Sequence, residues 1–214
     1  MTVSRVLVRR AALATATATA AVVLAACGGD SDGSHSGGGS ASSSASTGTH
    51  AGAHTTQDVS FAQGMIPHHR QALEMARLAA GRASSAQVKD LASRIEKAQD
   101  PEITAMTGWL RSWGEDVPAS DGSMGSMPGM DHSGHSGMPG MMTVQDMDRL
   151  KKASGKDFDT MFLTMMVEHH KGAVAMATTE QDKGAYGPAT SMAGGIITSQ
   201  TAEITEMDKL LGKG

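Results

Sequence analysis

A single cysteine, Cys27, rules out any disulfide within this 214-residue chain. Aromatic residues are scarce, at 3%. Positive charge is not in excess: 18 Lys and Arg stand against 22 Asp and Glu, a formal net charge of -4, which argues against a nucleic-acid partner. The apolar run over 11–26 is too short and too broken by threonine to span a bilayer. Strand signals are absent. So are the Glu-x-x-His pairs of di-iron helical bundles: Arg77, Ala105 and Glu206 follow Glu74, Glu102 and Glu203 at that distance, and Lys171 follows Glu168. No nucleophile, cofactor loop or acid pair marks an enzyme, and binding is the more natural reading than catalysis; a copper-based oxidase stays open.

Against these absences stand 17 methionines and nine histidines. The N-terminus has its own pattern. Arg5, Arg9 and Arg10 precede the apolar run, which ends in Leu24-Ala25-Ala26-Cys27 followed by Gly28. A charged start, a short apolar stretch and small residues before a cysteine form a lipobox, expected to be cleaved before Cys27 and lipidated there. The plainer alternative is an ordinary signal peptide with a free thiol. The lipid would attach the protein to the outer face of the cell-envelope membrane without a spanning helix.

The remainder is a duplication. With a shift of 101 residues, 61–110 aligns with 162–211 without a gap, and fifteen of the fifty positions are identical; about three are expected by chance from average residue usage. The identities include Phe61/Phe162, Met65/Met166, His68/His169, His69/His170, Met75/Met176, Gln99/Gln200, Glu102/Glu203 and Met106/Met207. The expected segments are a signal peptide (1–26), a flexible tether (27–56) carrying His35, His50 and His54, a first helical hairpin (57–117), a linker (118–142) and a second hairpin (143–214). Helices are expected from Asp58, as N-cap, to about Ala80 with Gly81 as stop; from Ser85 to Trp113; over Lys156–Asp182; and from Pro188 to about Leu211, with a short extra helix over Thr143–Lys152. Pro67 and Pro101 are expected to kink their helices. Two such hairpins imply an all-α four-helix bundle.

In each copy a Met, the first His of the pair, an Ala and a Met form one stripe at helical spacing: Met65, His68, Ala72 and Met75, then Met166, His169, Ala173 and Met176. His69 and His170 lie beside the stripes, turned about 100° away, so that one histidine of each pair is expected inside and the other at the rim. Imidazole and thioether are both metal ligands, and thioether favours Cu(I). The methionines read equally as core filling. Glu102 and Glu203, four residues before Met106 and Met207, either orient a histidine or stand on a solvated face. The linker repeats methionine among His, Gly and Pro: Met124, Met127, Met130, His132, His135, Met138, Met141 and Met142 are further candidate ligands. His50 and His54 form a weaker candidate clip.

These residues resemble the domain-of-unknown-function family 305, which carries Phe-x-x-x-Met-x-x-His-His, here Phe61 to His69 and again Phe162 to His170, followed by Gln-x-x-Glu-Ile-x-x-Met, here Gln99–Met106 and Gln200–Met207. The resemblance covers 57–212 and implies a ferritin-like helical bundle, with some members implicated in binding copper or silver outside the cytoplasm. The expected function is then extracytoplasmic copper capture, with an efflux or delivery protein as partner. The alternative is a metal-free helical interaction module whose His pairs act as pH-sensitive contacts.

Overall fold

The structure, a computed structural model, describes residues 53–119 and 138–213. The expectations for the signal segment, Cys27, His35, His50, Met124, Met127, Met130, His132 and His135 lie outside the described residues. Five helices follow in order: α1 (Thr56–Arg82), α2 (Ala86–Trp113), α3 (Val144–Lys152), α4 (Gly155–Lys183) and α5 (Gly187–Leu210). Among the described residues no strand forms, only an isolated bridge between Ala83 and Gly155. The fold is an all-α four-helix bundle of two duplicated hairpins, with α3 as the short helix that has no counterpart in the first copy.

α1 packs on α2, α4 packs on α5, and the hairpins meet along α1 and α4. Small residues are buried on both central helices: Ala62, Ala72, Ala76 and Ala79 on α1, and Gly172, Ala173 and Ala177 on α4. The two helices run antiparallel, since the start of α1 meets the end of α4 and the reverse holds at the other end. Apolar side chains gather in two clusters. One holds Met75, Ile95, Phe158, Phe162, Met166 and Met207; the other holds Phe61, Met65, Met106, Leu110 and Ile196, with Met176 packed against it. Each cluster takes a pair of motif methionines from one copy and a single one from the other, as a pseudo-two-fold axis between α1 and α4 requires.

The ends of the helices differ in detail from the sequence expectation. Thr55, not Asp58, is the N-cap of α1, and Asp58 completes a capping box from the third helical position. Gly81 does not stop α1, which runs through Arg82 to a cap at Ala83; the chain there extends towards Gly155 instead of reversing on a left-handed glycine. Pro67 and Pro101 both lie inside unbroken helices.

Asp58 has a second task. Its carboxylate accepts from the N–H groups of Ala185 (3.1 Å) and Tyr186 (2.9 Å), at the start of α5, whose N-cap Tyr186 offers no side-chain acceptor. Asp159 does the same for the other hairpin, accepting from the N–H groups of Ser84 (3.1 Å) and Ser85 (3.0 Å) before α2. The two aspartates are 101 residues apart, so each hairpin caps the other through one duplicated residue.

The Asp58 end also carries Glu180, buried beneath Gly184, with Gln57 Nε2 donating to it at 3.2 Å. Burial pushes the Glu180 carboxyl up to about 7, helped by the neighbouring Asp58 and opposed by Gln57. Burial would raise Asp58 as well, but the bonds from the Thr55 hydroxyl and from the Tyr186 and Thr55 N–H groups prevail and lower it to about 2. Folded Glu180 therefore keeps its proton where the unfolded chain, near the ordinary 4.5, has lost it. Stability is accordingly highest below pH 4.5 for this group and declines as pH rises to about 7, by on the order of 2 kcal/mol. Asp58 acts in a separate window, losing its contribution only as pH falls from 3.8 through about 2. Urea midpoints between pH 4.5 and 7 check the first slope, which Glu180→Gln should flatten.

Candidate metal centre

His68 and His169 face each other where α1 crosses α4. Their ring centroids are 3.7 Å apart, with 36° between the planes. The partners in the adjacent positions, His69 and His170, turn instead to the second helix of their own hairpin. His69 Nε2 donates to Glu102 Oε2 at 2.7 Å, and His170 Nε2 donates to Glu203 Oε2 at 2.7 Å. The helical turn of about 100° between adjacent residues thus separates two kinds of histidine. It does not place one of each pair at the rim: all four are buried. The reason is the layering of the bundle, in which α1 and α4 each have neighbours on two sides.

Hydrogen bonding fixes which nitrogen is free. The Pro139 carbonyl accepts from His68 Nε2 at 3.1 Å. With the Nε2–H groups of His68, His69 and His170 so engaged, their Nδ1 atoms carry buried lone pairs that meet no partner among the described residues, and neither nitrogen of His169 meets one there. Each orphaned buried polar atom costs about 1–3 kcal/mol. Three of the five such histidine atoms belong to the facing His68 and His169. The central pair is also held uncharged. Burial, then His69, lowers His68 to about 3 despite the Pro139 carbonyl, and burial, then His68, drives His169 well below its ordinary value. Neutral imidazoles with free lone pairs are the form that binds metal.

The methionines are placed by packing. Met65, Met75, Met106, Met166 and Met207 are completely buried in the apolar clusters, and Met176 is partly buried with its sulfur beside Gly64. Burial is worth roughly 1.5–3 kcal/mol for such a side chain, so core filling accounts for these positions unaided. Met65 and Met166 nonetheless stand one turn before His68 and His169 on the same helical face. Met138, Met141 and Met142 are partly buried, and Met142 packs on the cluster around Phe162. His54 stacks on Trp113 at 4.4 Å and 10°, away from the central histidines. Among the described residues, no three His, Cys, Asp or Glu side chains are grouped to hold a metal. Sequence reading passed over Asp159, Gln71, Pro139 and Gly172. A usable signal existed for the first, which matches Asp58 at the repeat distance just upstream of the aligned block.

Residues 58–211 match the model of the family described as a domain of unknown function, DUF305. The chain belongs to the DUF305 family. A candidate secreted DUF305 protein from Streptomyces coelicolor is 36% identical, with a TM-score of 0.63, over 73% of this chain and 93% of that one. A DUF305 fragment from Deinococcus radiodurans is 29% identical, TM-score 0.65, over 76% of this chain and 100% of the fragment. CopM in its Cu(I)-bound form is 31% identical, TM-score 0.56, over 72% of this chain and 94% of that one. CopM structures with Cu(II), with silver and without metal match similarly. No curated protein sequence matches the chain. Among the described residues of this DUF305 protein, no helix is long and apolar enough to cross a membrane.

Proposed function

We propose that this DUF305 protein captures Cu(I), and Ag(I) by the same chemistry, at the outer face of the cell-envelope membrane, to buffer the ion or pass it to an efflux or delivery protein. The observation that carries the reading is the buried His68–His169 pair, whose free lone pairs no group among the described residues satisfies. Two imidazoles, with Met65 and Met166 one helical turn before them, offer a soft donor set. Such a set suits a soft monovalent ion; structural zinc wants four ligands of its own kind. The family's CopM, solved with copper and silver, supports the same class of cargo. His69 and His170 add further ligands in this reading, with Glu102 and Glu203 as their outer partners. In this reading Cys27 carries the lipid, and the Met/His-rich stretch 124–137 adds lower-affinity capacity.

A Cu(I) titration under reducing conditions, against a competing chelator, tests the proposal. More than one ion should bind, and deleting 122–137 should remove part of the capacity while the tightest site stays. A protein that takes no Cu(I) from the chelator would sink the copper reading. Within the same assay, Glu102→Ala and Glu203→Ala should each weaken the tight site by about 10–100-fold, the usual cost of losing an outer partner. Unchanged affinity in both would leave the carboxylates a purely structural role.

A further inference from the structure

Residues 138–142 have no counterpart in the duplication, and they lie across the centre. The Pro139 carbonyl accepts from His68. Gln71 grips Met142 by both backbone groups: the Met142 N–H donates to Gln71 Oε1 at 2.7 Å, and Gln71 Nε2 donates to the Met142 carbonyl at 3.0 Å. On the other side the segment presses against α4. A Cβ on Gly172 would stand 2.0 Å from the Pro139 oxygen, and one on Gly140 would stand 2.6 Å from the Glu168 carbonyl. Gly140 is also in the left-handed region, with φ 78°.

Gln71 and Gly172 are the same position in the two copies, 101 residues apart and two residues beyond each His-His pair. They differ in complementary ways. One copy has a long amide that holds the segment, and the other has no side chain, which lets the segment in. Glycine is otherwise a poor residue inside a helix, and Gly172 lies within α4. The consequence is that the duplicated histidines are unequal. His68 has its Nε2–H committed and presents Nδ1, while both nitrogens of His169 are unengaged.

We propose that residues 138–142 are a strap that seals the His68–His169 centre, with Gln71 and Gly172 as its positioning residues, and that release of the strap sets the rate of metal entry and exit. This rests on the metal-binding reading above. The ion is a soft monovalent cation, bound on the inner side of the strap. Fixing one histidine tautomer by a backbone carbonyl is how metal sites orient a ligand.

The test uses the whole purified protein with Cu(I) as probe. Gly172→Ala places a methyl group where the Pro139 oxygen lies and expels the strap, while alanine favours the helix, so folding should survive. Gln71→Ala removes the grip from the opposite side. Each protein is loaded with Cu(I) and mixed with excess chelator. Both variants should release the ion at least tenfold faster than the wild type. In the metal-free proteins, diethylpyrocarbonate should modify His68 and His169 in both variants and spare them in the wild type. Release at the wild-type rate by both variants, or equal protection of the two histidines, overturns the strap and leaves the metal reading standing. A wild-type protein that takes up no Cu(I) overturns the metal reading and the strap's gating role with it.

Discussion

Replacing His68 and His169 together by alanine should abolish the tightest Cu(I) site, with a loss of affinity on the order of 1,000-fold or more, since changes to outer partners alone cost about 10–100-fold. The folding cost should be small for so buried a change. Two imidazoles leave cavities behind, but their orphaned nitrogens leave with them, and the two effects are of similar size, roughly 1–3 kcal/mol each. The contrast is sharpest in thermal unfolding. Metal that binds only the folded chain stabilises it by about 2.7 kcal/mol when present at 100 times its Kd. Wild-type protein should therefore melt several degrees higher with Cu(I), and the double variant should not respond. His69→Ala makes the converse case. It removes the partner of Glu102 from a buried position, so it should lower the metal-free stability as well as the affinity. A double variant that keeps a full melting shift would move the site away from the axis.

The second large effect concerns folding alone. Asp58→Ala should cost about 3 kcal/mol, because it strips the acceptor from several N–H groups at once: those of Thr55, Ala185 and Tyr186. Asp159→Ala should cost about as much through Ser84 and Ser85. Against a total of roughly 5–15 kcal/mol, either loss is severe. Urea unfolding at pH 7 measures both. Because the two aspartates join one hairpin to the other, the whole bundle should unfold in one step in each variant. Separate melting of the hairpins in a variant would show that the one remaining aspartate does not hold them together. Asp58→Ala should also weaken the pH 4.5 to 7 slope of Glu180, whose carboxyl loses a charged neighbour. Equal slopes with and without Asp58 would mean that burial alone holds the Glu180 proton.

Much of the fold was legible because the duplication repeats a helical pattern twice at one distance. Two copies of the Met, His and Ala stripe state which faces are buried, and the missing strand signals exclude competitors. The extra helix after Thr143 is announced by its own cap, Thr143 with Asp146. The boundaries were less legible. Asp58 looks like an N-cap because caps and acids at the third helical position draw on the same residue types, and only the backbone tells them apart. Gly81 looks like a stop, yet α1 passes through it because the following chain is drawn to Gly155 by a contact 72 residues away.

The site divides the same way. By itself the sequence determined the duplicated helical hairpins, the two His-His pairs as the place of interest, and Glu102 and Glu203 as candidates to orient them. Those follow from local spacing, which a helix converts directly into faces. Only the tertiary structure decided that His68 meets His169 across the axis, that His69 and His170 turn to their own carboxylates, and that all four are buried. It also decided that residues 138–142 lie across the centre between Gln71 and Gly172. These depend on how closely α1 approaches α4 and on where a non-repeated segment returns. Both are set by packing between residues far apart in the chain, which no local period records.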